Sequence, residues 1–376
     1  MANNFCRYLS NKYRFQSSEI SKTLSYRPCC WWKDDNEHKG FNFLDPAEFA
    51  KSRDKLNAIT DWTPACNTCK VFEEHNIPSP RLRSFKEISA DSIDNDAVTI
   101  EFSIDMNCNA ACLSCGSWNS STWVKQEIKF GLRNINTIPK RIPPNKWFDL
   151  IKLKMDLSKL LDIHFVGGEP LESELPDLVF KHLEDLKVDA SKVRVFFTTN
   201  GSRYPSDYLI SQIPKYREVQ FSLSLDGVGD RFHLLRYPLI WDKIEANTKK
   251  LLELNYNNVY INVSATLNPI SILYADEIET WAINTLSDQY IAKNDPTRLI
   301  FRVNRCEGVM DLSKTPGMLR LVVTNKFGPD HIVTKLMNST TFDGDIKSMI
   351  DHFDEWDKRR QLAWRELFPD SVQYFN

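Results

Sequence analysis

Six short segments rich in β-branched and aromatic residues alternate with segments of helical period along residues 98–305. The strand-like segments are VTIEFSID (98–105), DIHFVGG (162–168), KVRVFFTTN (192–200), VQFSLSLD (219–226), NVYINVSATL (258–267) and RLIFRVNR (298–305). In the first, Ile100, Phe102 and Ile104 alternate with polar residues; in the third, Val193, Val195 and Phe197 do. Between them lie WFDLIKLKMDLSKLL, LPDLVFKHLEDLK and IWDKIEANTKKLLEL, whose apolar residues recur at helical spacing. Strand followed by helix, repeated, implies βα units and a parallel sheet, open or curled into a barrel. The fold class expected is α/β. In such folds the site is built at the C-terminal ends of the strands, and the conspicuous polar and glycine motifs of this chain fall there.

The composition excludes several classes. Of 376 residues, 42% are hydrophobic and 26% charged, and net charge is -2 with acids and bases well mixed. No Lys/Arg-rich block marks a nucleic-acid or acidic membrane surface, so neither partner is expected. No apolar run approaches the length of a membrane span. The start, MANNFCRYLSNKYRF, lacks the apolar centre of a signal peptide, and a cytoplasmic protein is expected. In that compartment nine cysteines, an odd number, point to metal, cluster or redox chemistry rather than disulfides.

Three of them lie in MNCNAACLSC (106–115), directly after the first strand: Cys108, Cys112 and Cys115. A 4Fe–4S cluster bound by four thiolates is coordinatively full; bound by three, it leaves one iron open to a substrate or cofactor. A structural zinc needs a fourth ligand, and no His or Cys follows within thirty residues. Three inert buried cysteines would not be expected to gather at a strand end.

With this Cys-x3-Cys-x2-Cys loop the sequence resembles the radical S-adenosylmethionine (SAM) enzymes, over about residues 98–306. The resemblance implies a partial (β/α)6 TIM-like barrel and a SAM-binding 4Fe–4S cluster on the three cysteines. It implies SAM contacts from GGEP (Gly167, Gly168, Glu169, Pro170) after the second strand and from Asn200 in TTNG after the third. Ser224 and Asp226 of SLSLDG are implied near the ribose and methionine, Arg236 as a partner of the SAM carboxylate, and Asn262 to Thr266 beside the adenosine. Many family members carry an aromatic residue just before the third cysteine; here Ser114 stands. Cys306, after the sixth strand, reads as a core cysteine.

Upstream, FC, RPCC and CNTC place Cys6, Cys29, Cys30, Cys66 and Cys69. They look like the auxiliary-cluster region of SPASM and twitch radical SAM proteins, set before the barrel. The resemblance implies a second 4Fe–4S cluster on Cys6, Cys29, Cys66 and Cys69, with Cys29 chosen over Cys30 because the corresponding family cysteine follows a proline. Zinc on the same four thiolates, or a cluster with an open iron, stays an alternative. The tail DIKSMIDHFDEWDKRRQLAWRELFPD has Ile346, Ile350, Phe353 and Trp356 at helical spacing. The expected organisation is an auxiliary-cluster domain over 1–95, a barrel over 96–310 and a mostly helical extension over 311–376.

The activity implied is that of an oxidoreductase or maturase-type enzyme. It cleaves SAM reductively to a 5′-deoxyadenosyl radical and abstracts hydrogen from a peptide or protein. Alternatives are a small-molecule substrate in cofactor or natural-product synthesis, or an iron–sulfur or zinc protein without catalysis. A flavodoxin- or ferredoxin-type reductant is the implied partner. No acid, base or hydrogen donor is assigned by the sequence.

Overall fold

A computed structural model describes residues 5–18, 23–29, 31–32, 41–88, 98–137, 142–295 and 298–375. Strands β1 (Lys12–Ser18), β2 (Thr23–Arg27) and β3 (Phe41–Asn42) precede the six expected ones. Those six are β4 (Val98–Ser103), β5 (Leu160–Phe165), β6 (Arg194–Thr199), β7 (Glu218–Ser224), β8 (Val259–Leu267) and β9 (Phe301–Arg305). The architecture is mixed α/β. The segment WFDLIKLKMDLSKLL is shorter as a helix than its period suggests. The helix Pro144–Lys154 stops, and Leu160 already belongs to β5.

The chain divides into two compact units, and it passes from one to the other inside β6 and β7. The first comprises Met1–Asn107, Ile135–Phe197 and Pro205–Val219. Its strands are ordered β3-β2-β1-β4-β5-β6. β2 pairs antiparallel with β1 and β3, while β1/β4, β4/β5 and β5/β6 are parallel.

The two faces of this sheet differ because side chains alternate along a strand. On one face Phe15, Phe102, Phe165 and Phe197 stand opposite one another in register. Their rings stack in sequence at centroid distances of 6.5, 5.7 and 5.1 Å. Phe148 of the helix Pro144–Lys154 meets Phe102 edge-on at 5.9 Å, and Phe180 of the helix Leu175–Asp185 lies 6.2 Å from Phe165. This is the core of the unit.

The other face carries charge, also in register. Lys12 donates to Glu101 at 2.9 Å, and Arg14 pairs with the second Glu101 oxygen. Asp162 holds Arg194 through two bonds of 2.6 and 2.8 Å. His164 stands opposite Glu101, and its Nε2 is buried without a hydrogen-bond partner among the described residues. Burial pushes the Glu101 carboxyl up, but Lys12, Arg14 and His164 more than offset it and hold it at about 2. Burial, aided by Lys12, keeps His164 well below the usual imidazole range.

Both shifts act in one direction. Below about pH 6.5 the unfolded chain takes up a proton at position 164 that the folded chain refuses. Below about 4.5 the same holds for Glu101, and its contribution is lost as the pH falls through about 2. Stability therefore declines on acidification from pH 6.5. In His164→Gln the slope of unfolding free energy between pH 6.5 and 5 is expected to fall by up to about 1.4 kcal/mol per pH unit. Urea unfolding at pH 7, 6 and 5 measures it; an unaltered slope would contradict the assignment.

The second unit comprises Cys108–Asn134, Thr198–Tyr204 and Gln220–Asn376. Its strands are ordered β7-β8-β9, with β8 and β9 parallel. Phe221, Leu223, Ile261, Val263, Ala265 and Leu267 are fully buried, as are Ile244 of the helix Trp241–Glu253 and Ile278, Ala282 and Leu286 of the helix Ala275–Ala292. Trp241 and Trp281 join these two helices edge to face at 5.1 Å. The tail forms the helices Gly317–Phe327, Ile332–Asn338 and Ile346–Arg360. The last buries Met349, Phe353, Trp356 and Arg360, at spacings of four, three and four. That face is rotated from the expected one, since Ile346 and Ile350 are half-buried. Among the described residues no helix is long and apolar enough to cross a membrane.

Candidate functional site

Cys108, Cys112 and Cys115 lie on one loop of the second unit, ahead of the helix Ser121–Lys129. Such a loop has no ladder to satisfy its backbone, so side chains must do so. The Cys108 carbonyl accepts from Ser121 Oγ at 3.2 Å and Thr122 Oγ1 at 2.6 Å. The helix cap Ser120 donates to the Ala110 carbonyl at 2.5 Å. Ala111 N–H and Leu113 N–H donate to the Tyr237 and Leu235 carbonyls at 2.6 and 2.9 Å, as a short strand pair would. The Cys112 carbonyl accepts from Trp123 Nε1 at 2.9 Å. Asn109, between the first two cysteines, exchanges bonds with Asn200 and Ser202 at 2.9 and 2.7 Å. Cys108 and Cys115 are half-buried, and Cys112 is 8% exposed.

Charge is concentrated at Cys112. Arg236 Nη1 lies 3.7 Å from its Sγ, while Nη2 reaches both oxygens of Asp226 at 3.0 and 2.9 Å. Asp226 Oδ1 also accepts from Thr266 N–H at the end of β8, at 2.8 Å. Burial works to lower the Arg236 pKa, and Asp226 and Cys112 raise it on balance. Burial pushes the Cys112 thiol up to about 12, against the pull of Arg236; the neighbouring thiols Cys108 and Cys115 add to the rise. Arg360 Nη2 donates to the Ala111 carbonyl at 2.9 Å.

Three buried nitrogens on two guanidinium groups have no acceptor among the described residues: Arg236 Nε, Arg360 Nε and Arg360 Nη1. A buried donor without an acceptor is costly. Three thiols with spare cationic donors around the most buried of them suit an anionic, thiolate-bound iron–sulfur cluster, and metal binding deprotonates such thiols outright.

The other residues expected around SAM divide between the units. In the first, Gly167 and Gly168 have φ of +77° and +48°. A Cβ on Gly168 would stand 2.4 Å from the Asn107 carbonyl, and one on Gly167 would stand 2.6 Å from Ser103 Oγ. The glycines are thus already required by close packing on the segment leaving β4. Glu169 caps the short turn Pro170–Glu172 by accepting from Leu171 N–H at 3.0 Å, and its own N–H donates to the Asn107 carbonyl at 2.7 Å. In the second unit, Asn200 holds Asn109, so it positions the cysteine loop. Ser224, half-buried, ends β7. Asn262 is buried on β8 and accepts from Gln220 Nε2 at 3.1 Å. Cys306 is buried, and burial raises its thiol pKa, with Asp226 and Asp311 adding to the rise.

Cys6, Cys29, Cys66 and Cys69 line one pocket of the first unit. Trp31, Trp32 and Trp62 make much of its wall apolar, and Arg81 supplies one cation. Cys6 precedes the first short helix, Cys29 follows β2, Cys66 ends a 3₁₀ turn, and Cys69 lies on the helix Asn67–Glu74. Burial raises the Cys6 and Cys66 thiols. Arg81, paired with Glu73, feels Cys6 and Cys69 electrostatically. By residue type, four thiolates would suit a 4Fe–4S cluster and zinc alike. Cys30 lies outside the described residues. Among the described residues no three His, Cys, Asp or Glu side chains converge on one point as ligands of a single metal ion would.

No family model matches the chain, and no curated protein does. Among solved structures, Streptococcus suis SuiB bound to S-adenosylmethionine is similar at 14% identity and a TM-score of 0.36, over 73% of this chain and 56% of that one. anSMEcpe with bound AdoMet is similar at 15% and 0.37, over 67% and 66%. SuiB bound to the precursor peptide SuiA is similar at 13% and 0.37, over 73% and 57%. The chain thus spans just over half to about two thirds of the length of these structures.

Proposed function

We propose that the chain is a radical SAM enzyme that modifies a peptide or protein. The observation that carries the reading is the Cys-x3-Cys-x2-Cys loop leaving β4, with buried, acceptor-seeking guanidinium groups about Cys112. Cys108, Cys112 and Cys115 would hold a 4Fe–4S cluster. Bound there, it would supply the single electron for reductive cleavage of SAM to methionine and a 5′-deoxyadenosyl radical, which would take hydrogen from substrate.

The chain's own residues orient and screen. Ser120, Ser121, Thr122 and Trp123 fix the loop carbonyls, Asn200 fixes Asn109, and Asp226 fixes Arg236 against Cys112. Gly167, Gly168, Glu169, Pro170, Asn200, Ser224, Asp226 and Arg236 are assigned to SAM, as the resemblance implies. A second 4Fe–4S cluster is assigned to Cys6, Cys29, Cys66 and Cys69, to pass or accept electrons or to anchor substrate. The reading also keeps the partial (β/α)6 barrel over 96–310, flanked by the auxiliary region and the helical extension, a flavodoxin- or ferredoxin-type reductant, and the cytoplasm as location. Peptide is preferred to small molecule because proteins with such auxiliary cysteines, in the family resembled, often act on peptides.

The test is anaerobic reconstitution with iron and sulfide, then dithionite and SAM. Release of 5′-deoxyadenosine is expected. Intact clusters without nucleoside would make the chain a binding or electron-transfer protein.

A further inference from the structure

The cysteine loop is held from outside by the last long helix, Ile346–Arg360. Trp356 packs edge-on against Trp123 at 4.4 Å, and Trp123 in turn bonds the Cys112 carbonyl. His352 Nε2 lies 3.4 Å from the Leu113 carbonyl. Arg360 reaches the Ala111 carbonyl at 2.9 Å. Its guanidinium sits 4.8 Å from the ring centres of each of Trp123, Tyr237 and Trp356. Three consecutive carbonyls, on Ala111, Cys112 and Leu113, are therefore clamped directly or at one remove by this helix.

Arg360 is unusual on that helix. It occupies the apolar stripe, four residues beyond Trp356, where a leucine would pack without cost. It is 8% exposed, and among the described residues no carboxylate bonds it. An aromatic cage holds its plane, yet among the described residues Nε and Nη1 stay without acceptors. A buried, unpaired cation is expensive and persists when something anionic compensates it. Cys112 is the anion-forming group that it feels most strongly.

We propose that Arg360 is a positioning residue that raises the reduction potential of the cluster on Cys108, Cys112 and Cys115, by standing as a fixed cation behind the Cys112 segment. The proposal rests on the cluster reading above. One electron from dithionite enters the cluster and makes the site one charge more negative. A fixed cation stabilises that state more than the oxidised one, so its removal lowers the potential and makes reduction harder.

The measurement is an EPR redox titration of the full, reconstituted chain, following the signal that is absent from the Cys108/Cys112/Cys115→Ala variant. Arg360→Gln keeps a donor for the Ala111 carbonyl and removes the charge. Its reduced-to-oxidised ratio at a fixed poise is expected to fall about tenfold, equivalent to about 59 mV for one electron. Arg360→Lys keeps the charge and is expected to titrate near the parent. An unshifted Gln variant overturns the proposal, and so does a Lys variant shifted as far as Gln, which would mean packing rather than charge. If Gln yields no folded protein, the Lys variant decides: a parent-like midpoint supports the proposal and a lowered one overturns it. A parent protein that loads iron at the N-terminal site yet shows no such signal removes the cluster reading itself, and this proposal with it.

Discussion

Replacing Cys108, Cys112 and Cys115 together with alanine is expected to lower iron from about eight to about four per chain and to abolish release of 5′-deoxyadenosine. The fold should persist, because the loop is anchored through Ser120, Ser121, Thr122 and Trp123 rather than through its thiols. The N-terminal site should persist too, since its four cysteines line a separate pocket in the first unit. Iron and sulfide analysis, with the visible spectrum before and after reduction, measures the outcome. Retained nucleoside release would sink the assignment of the loop. A colourless variant carrying one zinc would instead move the N-terminal site from cluster to structural metal and leave the loop's assignment intact.

Arg236→Met should cause the largest loss of stability from a single change outside the aromatic core. Asp226 is 2% exposed, and among the described residues its ionic partner is Arg236, in a pair bonded at 2.9 and 3.0 Å. Removing the cation leaves a buried carboxylate with the Thr266 N–H as support, at a cost of about 3–5 kcal/mol. The double variant Asp226→Leu/Arg236→Met removes both charges and should recover much of that loss. Denaturant unfolding of the apo chains compares them. Equal instability of the single and double variants would show that the pair's energy lies elsewhere, in packing around residue 236.

Much of this was legible in the sequence. The six strands from β4 to β9 announce themselves because apolar alternation and β-branched residues coincide in each. β1 (Lys12–Ser18) carries apolar Tyr13 and Phe15 in alternation, but the segment is short and from sequence no strand is expected ahead of residue 98. Its partner Glu101 explains why Lys12 and Arg14 are there, and that ion ladder needs three-dimensional register to be seen. The cysteine loop was legible because ligand spacing is local. Arg360 was not, since it meets the loop across 249 residues of chain. The available clue was an arginine placed on an apolar stripe. For the same reason GGEP reads as a ligand motif while its glycines are already demanded by Ser103, against Gly167, and by the backbone of Asp105 and Asn107, against Gly168.

The central claim is that three thiolates leave one iron open to SAM. The direct measurement is EPR of the dithionite-reduced chain with and without SAM, following the signal missing from the triple-alanine variant. The account predicts that SAM changes the line shape and g-values of that signal, and that the N-terminal signal stays as it was. An identical spectrum with SAM bound at saturating concentration would contradict it, because a cluster with no open iron would then occupy the loop.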